Sequence, residues 1–275
     1  MKIAPLGSGS AGNSYYIESE GTSILVDAGF GPRETEKRLR LVGASLASVS
    51  AILITHEHYD HIRGAAKVSA KAGAAVHMTA GTLRASSLDP EETVIQLFEN
   101  DTSFEIGDLL VHARRTSHDA SDPVSYVVES REGARIGIAS DLGAVDASIL
   151  EHLSGCDALF FEANHDLDML RSGTYPWSLK RRIMSRYGHL SNDDSMTALE
   201  RIVGEDLQKL CLIHLSQKNN HESIVESMAL GLLDRLGVRP ELRIARQEGP
   251  LEPVEVVRGK RPAPRPAAFG QLALF

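Results

Sequence analysis

Cysteine is scarce: the 275-residue chain has two, Cys156 and Cys211. Each stands in or beside an apolar stretch (157–161 and 210–213) that reads as a strand, which argues against a disulfide scaffold or a thiolate metal cluster. Buried free thiols in a reducing compartment are the expectation. Long hydrophobic runs are missing as well. Nothing approaches the roughly 18 apolar residues of a membrane span, and the first residues, Met1-Lys2-Ile3-Ala4-Pro5-Leu6-Gly7, lack the apolar core of a signal peptide. A cytoplasmic protein with no membrane partner is therefore expected. Positive charge is in deficit, with 29 Lys and Arg against 37 Asp and Glu and a net charge of −8. A basic surface that coats nucleic acid is thereby excluded. A phosphodiester held at one point is not, because a metal centre concentrates positive charge where a phosphate sits.

What the chain does have is enough apolar content, 42%, to build a substantial core in one large domain or two small ones. Its densest chemistry is His56-Glu57-His58-Tyr59-Asp60-His61, straight after the apolar run 51–54. That pattern is a strand emptying into a loop of three imidazoles and a carboxylate. Such ligands suit zinc, manganese or iron, and alternate side chains leaving a strand can serve two cations. Other ligand-type residues follow stretches that read as strands in the same way: His118 after 93–116, Asp141 after 136–139, Glu162 after 158–161 and His214 after 210–213.

Gly7-Ser8-Gly9-Ser10-Ala11-Gly12 matches the letter of a dinucleotide fingerprint, but that fingerprint must open a helix. Here Asn13 to Ser19 is rich in strand formers, so a hydroxyl-rich loop beside the metal site is the better reading, with Ser8, Ser10 and Asn13 and the loop amides facing a phosphate. Helices are expected at 32–42, 61–72, 147–153, 177–186, from 192 behind a Ser191 cap, and at 223–236. Strands alternate with helices at first, and several consecutive strands fill 93–116. From Arg258 onward Pro, Ala, Arg and Gly dominate and read as a flexible tail.

The ligand set His56, His58, Asp60, His61, His118, Asp141 and His214 resembles that of the metallo-β-lactamase superfamily, over about residues 1–257. The resemblance implies an α/β fold, a four-layer αββα sandwich with two divalent metals at one edge. His56, His58 and His118 would take one metal, Asp60, His61 and His214 the other, and Asp141 would bridge. Manganese or zinc is implied, and iron would also be accepted. No cysteine lies where the commonest β-lactamases use one, and His58 replaces the glutamate of the di-iron flavoproteins.

Glu162-Ala163, Gly188-His189-Leu190-Ser191 and His214-Leu215-Ser216 resemble motifs of tRNA 3′-processing endonucleases, which implies that His189 is a general acid and Glu162 its partner. A carboxylate beside an imidazole favours the protonated ring that a donor needs. No long insertion corresponds to the arm that grips tRNA. Segments 6–14, 55–64, 161–166, 187–192 and 214–220 together resemble the WalJ (YycJ) family. That implies a 5′ to 3′ exonuclease on duplex DNA, associated with mismatch repair, with catalytic residues Asp60, His189 and Glu162. Lys180, Arg181, Arg182 and Arg186 on the helix before His189 are candidate backbone contacts. Finally, Gln271-Leu272-Ala273-Leu274-Phe275 resembles the peptide by which repair proteins dock on the bacterial sliding clamp, implying Gln271, Leu272, Leu274 and Phe275 as partner contacts. A glyoxalase II-like thioester hydrolase, an RNA-processing nuclease and a non-catalytic clamp-associated module remain rivals at this point.

Overall fold

The structure is a computed structural model and describes residues 1–260. The clamp-like peptide, with Gln271, Leu272, Leu274 and Phe275, lies outside the described residues.

Two seven-stranded sheets face one another. The first contains β1 (Lys2–Gly7), β2 (Ser14–Glu18), β3 (Ser23–Val26), β4 (Ala51–Leu53), β5 (Ala75–Thr79), β6 (Ile95–Phe98) and, from the C-terminal side, β14 (Val254–Glu255). The second contains β7 (Ser103–Ile106), β8 (Leu109–Arg115), β9 (Val124–Ser130), β10 (Arg135–Ala139), β11 (Ala158–Glu162), β12 (Lys209–Ile213) and β13 (Glu241–Ile244). Their orders are β14-β1-β2-β3-β4-β5-β6 and β13-β12-β11-β10-β9-β8-β7. β9 and β10 pair antiparallel.

Side-chain alternation along the strands explains the layering. In β11 Ala158 and Phe160 point into the core between the sheets, while Leu159 and Phe161 point outward under helices. β12 repeats this with Cys211 and Ile213 inward and Leu210 and Leu212 outward. Because both faces are covered, these strands read as continuous apolar runs rather than alternating ones. The outer face of the second sheet is covered by α5 (Ala147–Leu153), α8 (Asn192–Ile202) and α9 (Glu222–Leu236). Over the first lie α1 (Pro32–Leu41), α3 (Ala65–Ala72) and α4 (Ala80–Ala85). The result is the four-layer αββα sandwich. Both cysteines are buried and neither is in a disulfide, and among the described residues no helix is long and apolar enough to cross a membrane.

Two expected helices are shorter than their sequence patterns suggest. The stretch 61–72 divides into a single turn, α2 (Tyr59–Ile62), and α3. At the break Gly64 lies against the Phe30 and Ala28 carbonyls, where a side chain would collide. The basic helix ends early too, as α7 (Trp177–Ile183). Beyond it the backbone turns back, with the His189 N–H donating to the Ile183 carbonyl at 2.9 Å. The remaining helix, α6, spans Leu167–Ser172.

β3 to β6 run parallel, as do β10 to β13. Their C-terminal ends therefore open at one edge, the usual place for a site in such sheets.

Candidate metal centre

Nine polar side chains converge at that edge. The first sheet delivers His56, His58, Asp60 and His61 from the loop and helical turn after β4. The second sheet delivers His118 between β8 and β9, Asp141 after β10, Glu162 at the end of β11, His189 before α8 and His214 after β12. They form five interlocking triads, His56/His58/His118, His56/His61/Asp141, Asp60/His61/His214, His118/Asp141/His189 and Glu162/His189/His214, with ligand atoms in each within 4.8 Å of one another.

The backbone is bent to make this possible. Among the described residues four non-glycine positions adopt positive φ: Asp27 (62°), Asp101 (60°), Asp141 (58°) and His214 (57°). Three of the four are in the centre, and such conformations cost on the order of 1–2 kcal/mol each. Gly29 serves the same end by allowing close approach, since a side chain there would strike the backbones of Asp60 and Asn13.

Each ring is aimed by a hydrogen bond at its far nitrogen. His61 Nδ1 is 2.7 Å from Asp27 Oδ2, and Asp27, wholly buried, also receives the Thr55 amide and hydroxyl at 2.9 Å. His56 Nδ1 meets Thr55 Oγ1 at 3.0 Å. His118 Nδ1 meets the Gly188 carbonyl at 2.9 Å. These contacts leave Nε2 of all three facing inward, and His61 Nε2 is 3.2 Å from Asp141 Oδ2 and 3.5 Å from Asp60 Oδ2. His58 faces the centre with Nδ1 instead, 3.3 Å from His118 Nε2. His214 Nε2 is 3.6 Å from Asp60 Oδ2 and 3.7 Å from Asp141 Oδ1.

Among the described residues the buried His56 Nε2, His214 Nε2 and Asp141 Oδ2 make no well-formed hydrogen bond, His61 Nε2 approaching Asp141 Oδ2 as an ion-pair contact only. Buried polar atoms are rarely left so, each costing about 1–3 kcal/mol. Three orphans directed into one space, in an all-imidazole and carboxylate donor set, fit divalent cations. The aiming contacts behind them are the kind that fix tautomer and orientation in metal sites.

The electrostatics divide the histidines. Burial holds His56 and His118 below the usual imidazole range. Burial also opposes charge on His61, but Asp141, Asp27 and Asp60 outweigh it and raise the ring well above that range. His214 is likewise raised, to about 10, by Asp141, Asp60 and Glu162 against its burial. Burial works against ionisation of Asp141 too, yet His214 and His61 keep it well below the carboxylate range. The carboxylates thus hold protons on two rings wherever no cation does, so metal uptake must displace them.

Glu162 is completely buried, and its Oε1 lies 2.8 Å from His189 Nδ1 while Oε2 accepts the Leu142 amide. Burial penalises its charge, but His189 beside it wins and keeps the carboxyl below its ordinary range. With Nδ1 committed to Glu162, the free nitrogen of His189 is Nε2. The ring stands between His118 and His214, 5.2 Å from each centroid, and is partly exposed.

Several expected contacts are otherwise engaged. Ser8 is buried, its hydroxyl accepting from the His214 amide at 2.8 Å and touching Tyr15. Asn13 is also buried and bonds Gly9, Asp60 and His61. The loop amides are used as well, Ala11 N–H by Gln247 and Gly12 N–H by the Gly9 carbonyl. Ser10 remains at the surface. The expectation of a DNA-facing Lys180 is corrected: its stem is buried and its ammonium donates to the Arg171 and Gly173 carbonyls at 2.7 and 2.6 Å. Arg181, Arg182 and Arg186 are exposed, with Arg182 paired to Asp119.

Sequence reading missed Asp27, Asp119 and Asn164. Asp119 approaches His118 at 3.3 Å and His58 at 3.9 Å, and the Asn164 amide donates to the His214 carbonyl at 2.8 Å. A polar residue closing an apolar strand was the available signal for Asp27. His165 is buried with neither ring nitrogen hydrogen-bonded among the described residues.

With this geometry in view the comparisons can be placed. Residues 22–215 match the family described as the beta-lactamase superfamily domain. The chain is 33% identical over 245 residues to the exodeoxyribonuclease YycJ of Bacillus anthracis, covering 86% of this chain and 90% of that one. It is 33% identical over 251 residues to the exodeoxyribonuclease WalJ of Streptococcus pneumoniae, covering 89% and 93%. The chain belongs to the YycJ/WalJ family. In fold it is similar to YhfI of Bacillus subtilis, a metallo-beta-lactamase fold protein, with a TM-score of 0.68 at 16% identity over 91% of this chain and 99% of that one. Membership of the YycJ/WalJ family within this superfamily makes the protein a metal-dependent hydrolase, and its His/Asp cluster binds divalent metal.

Proposed function

We propose that the protein is a dinuclear DNA phosphodiesterase, a 5′ to 3′ double-strand exonuclease. The observation that carries this reading is the Glu162–His189 pair set against the His/Asp cluster, in a chain whose relatives are exodeoxyribonucleases. Two manganese or zinc ions would be held by His56, His58 and His118 on one side and by Asp60, His61 and His214 on the other, with Asp141 between. When bound they supply the positive charge that lowers the pKa of a water and offsets that of the phosphate.

The protein's own part is proton handling and orientation. Glu162 fixes the His189 ring through Nδ1 and leaves the Nε2 proton to be given to the departing 3′ oxygen. Products then carry 5′ phosphates. Asp60, within reach of His61, His214 and Asn13, is placed to take a proton from the attacking water. Arg181, Arg182 and Arg186 flank the route to His189 and supply backbone contacts, and Ser10 is at the loop surface.

Duplex DNA labelled at either end, incubated with protein loaded separately with manganese and zinc, tests the reading, with Asp60→Ala as control. Stepwise loss from the 5′ end that the variant abolishes is expected. Metal-loaded protein that leaves DNA intact but hydrolyses a thioester would transfer the assignment to a glyoxalase II-like hydrolase. The peptide Gln271-Leu272-Ala273-Leu274-Phe275 extends the proposal to docking on a sliding clamp in mismatch repair. Its test is co-elution with the purified clamp, which removal of residues 271–275 is expected to abolish.

A further inference from the structure

Tyr59 and Tyr187 are among the large hydrophobic side chains left in solvent, 72% and 54% exposed. Both interrupt the site motifs, Tyr59 between His58 and Asp60 and Tyr187 two residues before His189. Asp119 links both segments to the centre. The Asp119 N–H donates to the Tyr187 carbonyl at 3.0 Å, and the Asp119 carboxylate reaches both His118 and His58, the neighbour of Tyr59.

The backbones that carry these rings are fixed. Arg186, just before Tyr187, receives the Ser117 hydroxyl on its carbonyl at 2.7 Å, and Gly143 packs so close to this peptide that a side chain there would collide. Around Tyr59 the Asp60 carbonyl accepts the Asn13 N–H at 2.8 Å, and the Tyr59 carbonyl accepts the Arg63 N–H at 3.1 Å. Rings carried on a fixed backbone lose less freedom when covered than rings on a mobile loop.

The surroundings define the chemistry of the cover. The Arg63 guanidinium lies 5.3 Å from the Tyr59 ring centroid, and that of Arg186 lies 5.8 Å from Tyr187. A flat ring system joined to negative charge suits both features, and a nucleobase on its phosphodiester is such a group. Bases within a duplex have their faces taken by their neighbours. A paired terminal base offers only its outer face, whereas an unpaired base at a strand end can offer both.

Resting on the nuclease reading above, we propose that Tyr59 and Tyr187 form a stacking platform for unpaired nucleobases at the strand end. The substrate then enters the centre as a frayed terminus rather than as intact duplex.

The experiment compares blunt duplexes with duplexes carrying two or three mismatched 5′-terminal pairs, using wild type, Tyr59→Leu, Tyr187→Leu and the two Phe variants. A 2-aminopurine at the terminal position reports stacking. Wild type is expected to show the lower KM on frayed ends and to quench the probe. Each leucine variant should raise that KM roughly five- to a hundredfold, the range of a lost base–aromatic stack, and leave the probe bright. Phenylalanine should preserve both. Equal KM on both ends, unchanged by leucine, would overturn the platform alone. A wild type that degrades no DNA would overturn the nuclease reading and the platform together.

Discussion

The two sheets contribute to one centre in different ways. The first sheet supplies four donors from six consecutive residues after β4, and buries behind them an Asp27–Thr55 network that aims His56 and His61. The second supplies its donors one at a time, from separate loops and strand ends, and adds the pair of buried Glu162 with partly exposed His189. The difference suggests a division of labour. On the proposed mechanism the first side holds charge, and the second both holds charge and moves a proton.

Breaking the element common to both sides should have the largest effect. Asp141 contacts His61 from the first sheet and His118 and His214 from the second. Asp141→Ala is expected to lose bound metal and all measurable hydrolysis, checked by elemental analysis after gel filtration. His189→Ala touches the second side alone. It should lower kcat on DNA by roughly 10²–10⁴, the usual worth of a general acid, with metal content unchanged.

Asp27→Asn tests the first side without removing a ligand. It should weaken metal affinity by about 10–100-fold, as loss of an orienting partner does, and excess metal should restore activity. A competing chelator titration measures it.

The smallest effect sharpens the contrast by using a histidine outside the centre. His152 on α5 is buried, and burial first, then Arg114 and neighbouring charges, lower its pKa to about 3. Below about pH 6.5 the unfolded chain binds a proton that folded His152 refuses, so stability is lost as pH falls from there toward 3. From pH 7.5 to 5 this residue should cost wild type about 2 kcal/mol that His152→Gln does not lose. Urea unfolding of both proteins at the two pH values checks the sign.

The first side was legible because its donors are contiguous: His56-Glu57-His58-Tyr59-Asp60-His61 announces a metal loop without any fold. Helix α5 and the Ser191 cap were equally legible, since propensity and capping are local. The second side was read less directly, from single polar residues that follow strand-like stretches and from motif order, because no spacing rule connects Glu162, His189 and His214. Asp27 and Asn164 escaped because they act through other residues across the fold, with 34 residues separating Asp27 from His61 and 50 separating Asn164 from His214. Lys180 was misplaced because a charge run does not reveal which member turns inward. Its ammonium found two carbonyls inside the fold.

The proton-donor role of His189 is the claim on which the division of labour depends. Its most direct measurement compares His189→Ala and Asp60→Ala on DNA and on bis(p-nitrophenyl) phosphate, whose leaving group departs without a proton. The account predicts that His189→Ala is severely impaired on DNA and nearly normal on the activated ester, while Asp60→Ala fails on both. Equal impairment of His189→Ala on the two substrates would contradict it.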